Sequence, residues 1–216
     1  MENTNIKRVG LLGGSFNPPH LGHLQMAGQA RKRLNLHEVW LLVSPQNPLK
    51  SKKGMEEFSE RYQQCQLLAK GHPWLKVSDF EQQNGTSYTS QTIEALQQRY
   101  KENNFLWLMG SENLTHFHKW QNWEKIFHTV PIVTLFREET PMTGLRSVAA
   151  TKFRNYRKKE GDSLSSLPNW RVLFVPPHSG RATNIRHALA TGQQPQHLGA
   201  AQLKHIKETG RFCNHT

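Results

Sequence analysis

Short apolar runs alternate with helix-patterned stretches along this 216-residue chain. No other feature constrains the fold as strongly. Val9–Leu12, Val39–Val43, Leu75–Val77, Phe105–Met109, Pro131–Phe136 and Val172–Val175 are brief, nearly continuous apolar segments. Runs of that kind suit strands covered on both faces, as in a parallel sheet. Between them lie stretches with helical spacing. Leu21–Leu34 carries Leu21, Leu24, Ala27 or Gly28, Arg31 and Leu34 on one side. Ser59 is read as the cap of a second helix that bears Tyr62, Cys65 and Leu68 and stops at Gly71. Thr86-Ser87-Tyr88-Thr89 precedes a third, with Ile93, Leu96 and Tyr100 on one face. Thr183–Ala190 and Leu198–Lys207 complete the set. The expected fold is α/β: an open, mostly parallel sheet with helices on both faces. One domain over residues 1–216 is expected, with 138–170 as an irregular or mobile insertion, because that segment is more polar. In such sheets ligands bind beyond the carboxyl ends of the strands. The segments at Gly13, Asn47, Gly110 and Pro176 all follow strands and are expected to converge there.

Composition narrows the function classes. No apolar run approaches the roughly 20 residues that a membrane span needs, and Met1–Arg8 lacks a signal-peptide apolar region. Cys65 and Cys213 are the only cysteines. That usage fits a reducing cytoplasm and argues against a disulfide framework or a cysteine zinc site. The formal net charge of +12 suits anionic partners: phosphorylated small molecules, nucleic acid or acidic lipid. Arg146, Lys152, Arg154, Arg157, Lys158 and Lys159 contribute a stretch without an acid. It reads as a solvated face; nucleic-acid contact is the weaker reading, since no aromatic interleaving accompanies it. Ser51-Lys52-Lys53 is likewise read as a solvated loop, and Trp107 and Trp123 as packing residues.

The loop Gly13-Gly14-Ser15-Phe16-Asn17-Pro18-Pro19-His20-Leu21-Gly22-His23 carries the chemistry. Paired glycines let a backbone approach a ligand closely, and prolines stiffen the turn. A helix start offers unpaired N–H groups to an anion. His20 and His23 are three residues apart, so both imidazoles face one way on a first helical turn. They can donate hydrogen bonds to phosphate oxygens. The loop is neither a dinucleotide fingerprint nor a Walker loop. Two other readings stay open: a metal-binding pair, which lacks an acidic third ligand nearby, and two structural histidines.

That loop resembles the first motif of the nucleotidylyltransferase superfamily and, more narrowly, of the bacterial nicotinate-nucleotide adenylyltransferase family. Ser44-Pro45-Gln46-Asn47-Pro48-Leu49-Lys50 resembles the loop after that family's second strand. Ser87-Tyr88-Thr89-Ser90-Gln91-Thr92 resembles its Ser-Tyr-Thr segment. Met109-Gly110-Ser111-Glu112-Asn113-Leu114, followed by Phe117-His118-Lys119-Trp120, resembles its Gly-Ala-Asp-Asn-Leu and Phe-x-x-Trp signature. Ala182-Thr183-Asn184-Ile185-Arg186 resembles its Ser-Ser-Thr-x-Ile-Arg motif. The resemblance implies a Rossmann-like fold and adenylyl transfer from ATP, with Mg²⁺, to nicotinate mononucleotide. The products are nicotinate adenine dinucleotide and pyrophosphate, a step of NAD synthesis. It assigns ATP to Gly13, Gly14, Ser15, Phe16, His20, His23, Thr183, Ile185 and Arg186. His20 and His23 are the catalytic pair at the α-phosphate. Thr183 and Arg186 take the β- and γ-phosphates. It assigns the mononucleotide to Asn47, Lys50, Tyr88, Thr89, Glu112 and Trp120, and no metal to protein ligands.

The residue chemistry is compatible with that assignment. A phosphomonoester has its second pKa at about 6, so the nucleophile is largely ionised without a protein base. Alignment and positive charge are what the reaction needs. The chain departs from the family pattern at three places: Asn17 and Glu112 stand where aspartate is usual, and Arg181-Ala182 replaces serines. Plainer readings remain for Trp120 as core, Thr89 as a helix cap and Arg186 as a surface arginine. The rival functions are the same transfer to nicotinamide mononucleotide or to another acceptor such as phosphopantetheine, and a non-catalytic, basic nucleotide- or RNA-binding module. Homo-oligomer formation is left open.

Overall fold

The computed structural model describes residues 6–45, 54–137 and 142–212. The strands are β1 (Lys7–Gly14), β2 (Glu38–Val43), β3 (Leu75–Ser78), β4 (Asn103–Gly110), β5 (Ile132–Arg137), β6 (Arg157–Lys158) and β7 (Trp170–Val175). They form a seven-stranded parallel sheet in the order β3-β2-β1-β4-β5-β7-β6. Successive strands run outward from β1 to β3, and the chain then returns to β4 beside β1. That reversal makes the β1/β4 pair the switch point of the sheet. Leu11 is in register with Trp107, and Met109 with Thr134.

The helices are α1 (Leu21–Arg33), α2 (Phe58–Ala69), α3 (Phe80–Asn84), α4 (Thr89–Arg99), α5 (Ser111–His116), α6 (Trp123–Thr129), α7 (Val148–Lys152), α8 (Ala182–Ala190) and α9 (Ala200–Thr209). Among the described residues, no helix is long and apolar enough to cross a membrane. All six expected strands are present, with ends shifted by one or two residues. Four short helices, α3, α5, α6 and α7, and the two-residue β6 were not expected. Ser59 is not a cap: α2 starts at Phe58 after Glu57, and Ser59 lies exposed within its first turn. On α1 the buried positions are Gly22, Met26, Ala27 and Ala30, whereas Leu21, Leu24 and Arg31 are half-buried.

The chain divides into two compact units, with boundaries inside β1, α1 and β2. One comprises Met1–Leu12, Gln29–Val39 and Tyr88–Pro177. Its core is built on β4, β5 and β7, whose apolar side chains are nearly all buried. An aromatic layer covers it: Phe127 stacks on Phe153 at 3.9 Å, Phe117 meets Phe127 edge-on, and the Trp170 indole donates to the Phe153 carbonyl at 2.9 Å. Ring pairs of this type contribute about 0.5–1.5 kcal/mol beyond burial. Residues 142–158, within the segment expected to be irregular, form a 3₁₀ turn, α7, a second 3₁₀ turn and β6.

The other unit comprises Gly13–Gly28, Trp40–Ser87 and His178–Thr216. Here Ile185 of α8 joins Leu198, Ile206 and Phe212 in a buried apolar cluster. Within this unit α9 also braces the loop after β1: the buried Gln202 amide donates to the Pro19 carbonyl at 3.0 Å and accepts from Gly199 N–H.

Candidate active site

The loop after β1 is held in place by buried polar side chains. Arg61 on α2 is 1% exposed, and its guanidinium reaches four carbonyls: Ser15 at 2.7 Å, Ser44 at 2.8 Å, Pro45 at 2.9 Å and Glu56 at 2.9 Å. Burial pushes this guanidinium below the ordinary arginine value, while Cys65 and Glu57 act the other way. Asn17 donates from its amide to the Gly54 carbonyl at 2.7 Å and accepts from Glu56 N–H at 3.1 Å. An aspartate would keep the second bond and lose the first, which gives the departure at residue 17 a physical use here. Ser44 N–H donates to the Gly14 carbonyl, so the ends of β1 and β2 are joined.

Gly14 acts differently from the expectation that it admits a ligand. A Cβ there would lie 3.2 Å from the Phe16 ring, so the space is taken by the loop's own phenyl group. Phe16 holds a left-handed backbone, φ 47°, which is costly for a bulky residue and is stabilised by burial of its ring. That ring meets His23 edge-on at 5.1 Å.

His20 and His23 come together, with ring centroids 3.9 Å apart. Gly22 N–H donates to His20 Nδ1 at 3.1 Å, and His20 N–H donates to His23 Nδ1 at 3.2 Å. A ring nitrogen that accepts a backbone N–H carries no proton, so each ring holds its proton on Nε2 and offers a donor there. Such rings are poor Nε2 metal ligands. Among the described residues, no three His, Cys, Asp or Glu groups are placed to hold a metal. The amides at the start of α1 are not the open anion site expected from the sequence. Leu21 N–H donates to the His197 carbonyl at 2.9 Å, Gly22 N–H to His20 Nδ1, and His23 N–H to the His20 carbonyl at 2.8 Å.

Within the same unit, Arg186 on α8 hydrogen-bonds through its guanidinium to the Asn17 carbonyl. The sequence-predicted His20, His23 and Arg186 therefore meet at one loop. Burial pushes the Arg186 guanidinium below the ordinary arginine value. The first intrahelical bond of α8 runs from Ile185 N–H to the Arg181 carbonyl, so the amides of Ala182, Thr183 and Asn184 precede the helical ladder. Thr183 is exposed on that first turn. Ile185 is 2% exposed, its side chain belongs to the apolar cluster and its N–H is engaged by the Arg181 carbonyl, so it packs beneath the site rather than meeting a ligand.

The expected mononucleotide residues that are described lie in the first unit. Tyr88 is the residue before α4, and Thr89 is its first helical residue rather than its cap. The Tyr88 carbonyl accepts from Thr92 N–H at 3.1 Å, which places the amides of Thr89, Ser90 and Gln91 ahead of the helical ladder. Trp120 is half-buried, 4.8 Å from Phe117 and edge-on to Trp107 at 6.2 Å. It therefore packs on one side and keeps accessible surface. Trp107 is buried, as expected of a packing residue, while Trp123 is half-buried. Glu112 is exposed at the start of α5, and its carboxylate folds over Gly110, 2.3 Å from where a Cβ would be. Asn47, Lys50 and the Ser51-Lys52-Lys53 segment lie outside the described residues.

Residues 11–167 match the cytidylyltransferase-like family. A protein of Rhizobium meliloti (strain 1021) named "probable nicotinate-nucleotide adenylyltransferase" is 39% identical over 184 residues, 83% of this chain and 97% of its own length. One of the same name from Ruegeria sp. (strain TM1040) is 40% identical over 182 residues, 82% and 95% of the two lengths. The chain belongs to the nicotinate-nucleotide adenylyltransferase family. In fold it is similar to Plasmodium falciparum nicotinic acid mononucleotide adenylyltransferase, solved complexed with NaAD. The TM-score is 0.72 at 15% identity, covering 95% of this chain and 97% of that one.

Three contributors to this family's loop in the present chain escaped the sequence reading. Arg61 and Gln202 sit in ordinary helical surroundings, and nothing local marks a side chain that will bond distant carbonyls. His178 does carry a signal: His178-Ser179-Gly180 repeats the spacing of His20-Leu21-Gly22.

Proposed function

We propose that this protein transfers the adenylyl group of ATP to nicotinate mononucleotide, forming nicotinate adenine dinucleotide and pyrophosphate. The meeting of His20, His23 and Arg186 at the loop after β1 carries this reading. The names of the relatives support the choice of acceptor. A phosphate oxygen of the mononucleotide attacks the α-phosphorus of ATP, and the bond from that phosphorus to the bridging oxygen breaks. The attacking phosphate is already ionised, so no protein base is assigned. His20 and His23 donate Nε2–H bonds to the α-phosphoryl oxygens, where negative charge grows in the transition state. The Thr183 hydroxyl, the leading amides of α8 and the fork of Arg186 hold the β- and γ-phosphates as they leave. Gly13, Ser15 and Phe16 line the nucleotide, and Ile185 packs beneath the site in the apolar cluster.

The nicotinate ring is assigned to the accessible side of Trp120 and to Tyr88, whose faces suit a pyridinium cation. The amides heading α4 at Thr89 accept its carboxylate. Asn47 and Lys50 take the phosphate or ribose of the mononucleotide, and Glu112 a ribose hydroxyl. Mg²⁺ would enter with ATP and would supply charge to the phosphate oxygens, as suits a hard cation; the described residues form no carboxylate or imidazole cage for it. The setting is NAD biosynthesis in the cytoplasm. The test is pyrophosphate release with ATP and each acceptor. Nicotinate mononucleotide should be preferred over its amide by more than about tenfold, roughly 1.4 kcal/mol; equal use of the two would overturn the acceptor assignment.

A further inference from the structure

The turn that leads into α8 repeats the device that orients His20. Gly22 N–H donates to His20 Nδ1 at 3.1 Å, and Gly180 N–H donates to His178 Nδ1 at 2.9 Å. In each case a ring folds over the glycine two residues on. A Cβ would lie 2.9 Å from the His20 ring at residue 22, and 2.8 Å from the His178 ring at residue 180. The two rings are close and nearly parallel, with centroids 6.5 Å apart and planes at 21°. Gly22 lies between them, since its Cβ would also sit 3.2 Å from His178 Nδ1. By the same tautomer argument His178 carries its ring proton on Nε2. Its turn is anchored to the start of α1: Ser179 Oγ and His197 Nε2 are 3.0 Å apart, and the His197 carbonyl accepts from Leu21 N–H.

We infer that His178 is a third imidazole of the polyphosphate site, donating its Nε2–H to the β- or γ-phosphoryl oxygens of ATP. This rests on the adenylyl-transfer reading above. His20 and His178 would then bond oxygens of different phosphoryl groups of the same chain. Neither the His-x-x-His pair nor the α8 motif includes this residue.

Two substitutions separate the ring's two nitrogens. The amide oxygen of His178→Asn takes the place of Nδ1 and keeps the acceptor for Gly180 N–H, but no donor remains at Nε2. The amide of His178→Gln puts an N–H near the Nε2 position and gives up the Nδ1 acceptor. Titration calorimetry of each variant with ATP, inorganic tripolyphosphate and AMP, without acceptor, reads the difference. Expected for His178→Asn is about tenfold weaker ATP and tripolyphosphate binding, roughly 1.4 kcal/mol, with AMP binding unchanged. His178→Gln should stay within about twofold of the parent for all three. An unimpaired His178→Asn, equal loss in both variants, or parallel loss of AMP binding would overturn the inference in favour of a purely structural turn. Failure of the parent to release pyrophosphate with any acceptor would instead overturn the function, while the tripolyphosphate titrations would still read His178.

Discussion

The starts of α1 and α8 belong to the same unit and serve the same proposed triphosphate, yet they are built in opposite ways. At α1 the first amides are already engaged: Leu21 with the His197 carbonyl, Gly22 with His20 Nδ1, His23 with the His20 carbonyl. They orient imidazoles, which in the proposed reading meet the ligand. At α8 the amides of Ala182, Thr183 and Asn184 lie ahead of the helical ladder, and Arg186 adds a fixed charge one turn on. The difference matches the chemistry asked of each. Charge changes most at the α-phosphorus, where fixed side-chain donors act on the transition state. The leaving pyrophosphate is anionic from beginning to end and is served by a helix dipole and an arginine fork.

The contrast can be broken most directly at His20. His20→Ala should lower turnover by about 10²–10³-fold, the usual cost of removing one preorganised donor, with little change in KM for the mononucleotide. Steady-state pyrophosphate release measures both; unchanged turnover would remove the side-chain role from α1. Arg186→Lys replaces a fork with a point charge and should cost about 1.5–3 kcal/mol of ATP binding, the range for hydrogen bonds to charged groups. Calorimetry with ATP reads it, and an affinity equal to the parent's would show that α8 works through its amides alone. Gly22→Ala sharpens the picture. The new methyl meets the His20 ring, so turnover should drop about tenfold, a 1.4 kcal/mol effect. Stability should fall as well, because the methyl also lies 3.2 Å from His178 Nδ1 and the buried His20 ring must shift; thermal melting beside activity sizes the two effects. The smallest expected change is at Thr183→Asp. A carboxylate on the first turn of α8 should stabilise the helix by about 0.3–1 kcal/mol and at the same time weaken ATP binding by repulsion. A melting curve and an ATP titration that move together rather than oppositely would contradict an open α8 start.

The alternating apolar runs made the sheet legible in the sequence, because strand burial on both faces leaves a continuous apolar signature. The motif loops were legible too, since glycine, proline and histidine mark a turn locally. The engaged amides of α1 were not: Leu21 bonds to His197, far along the chain, and no local pattern reports that. Helices α3, α5, α6 and α7 were missed because each spans two turns or less, too few for a hydrophobic period to emerge. The role of Ile185 was mixed with its neighbours' because a motif groups residues that face a ligand with those that pack beneath it. The hydrogen bonds of Asn17 needed coordinates before their partners, Gly54 and Glu56, could be named.

Arg61 clasps Ser44 and Pro45 on one side and Glu56 on the other, with the Ser15 carbonyl in the same grip. Both ends of the intervening stretch are thereby pinned to one point. One guanidinium thus ties three separate stretches of chain together, and its loss would orphan four carbonyls at once.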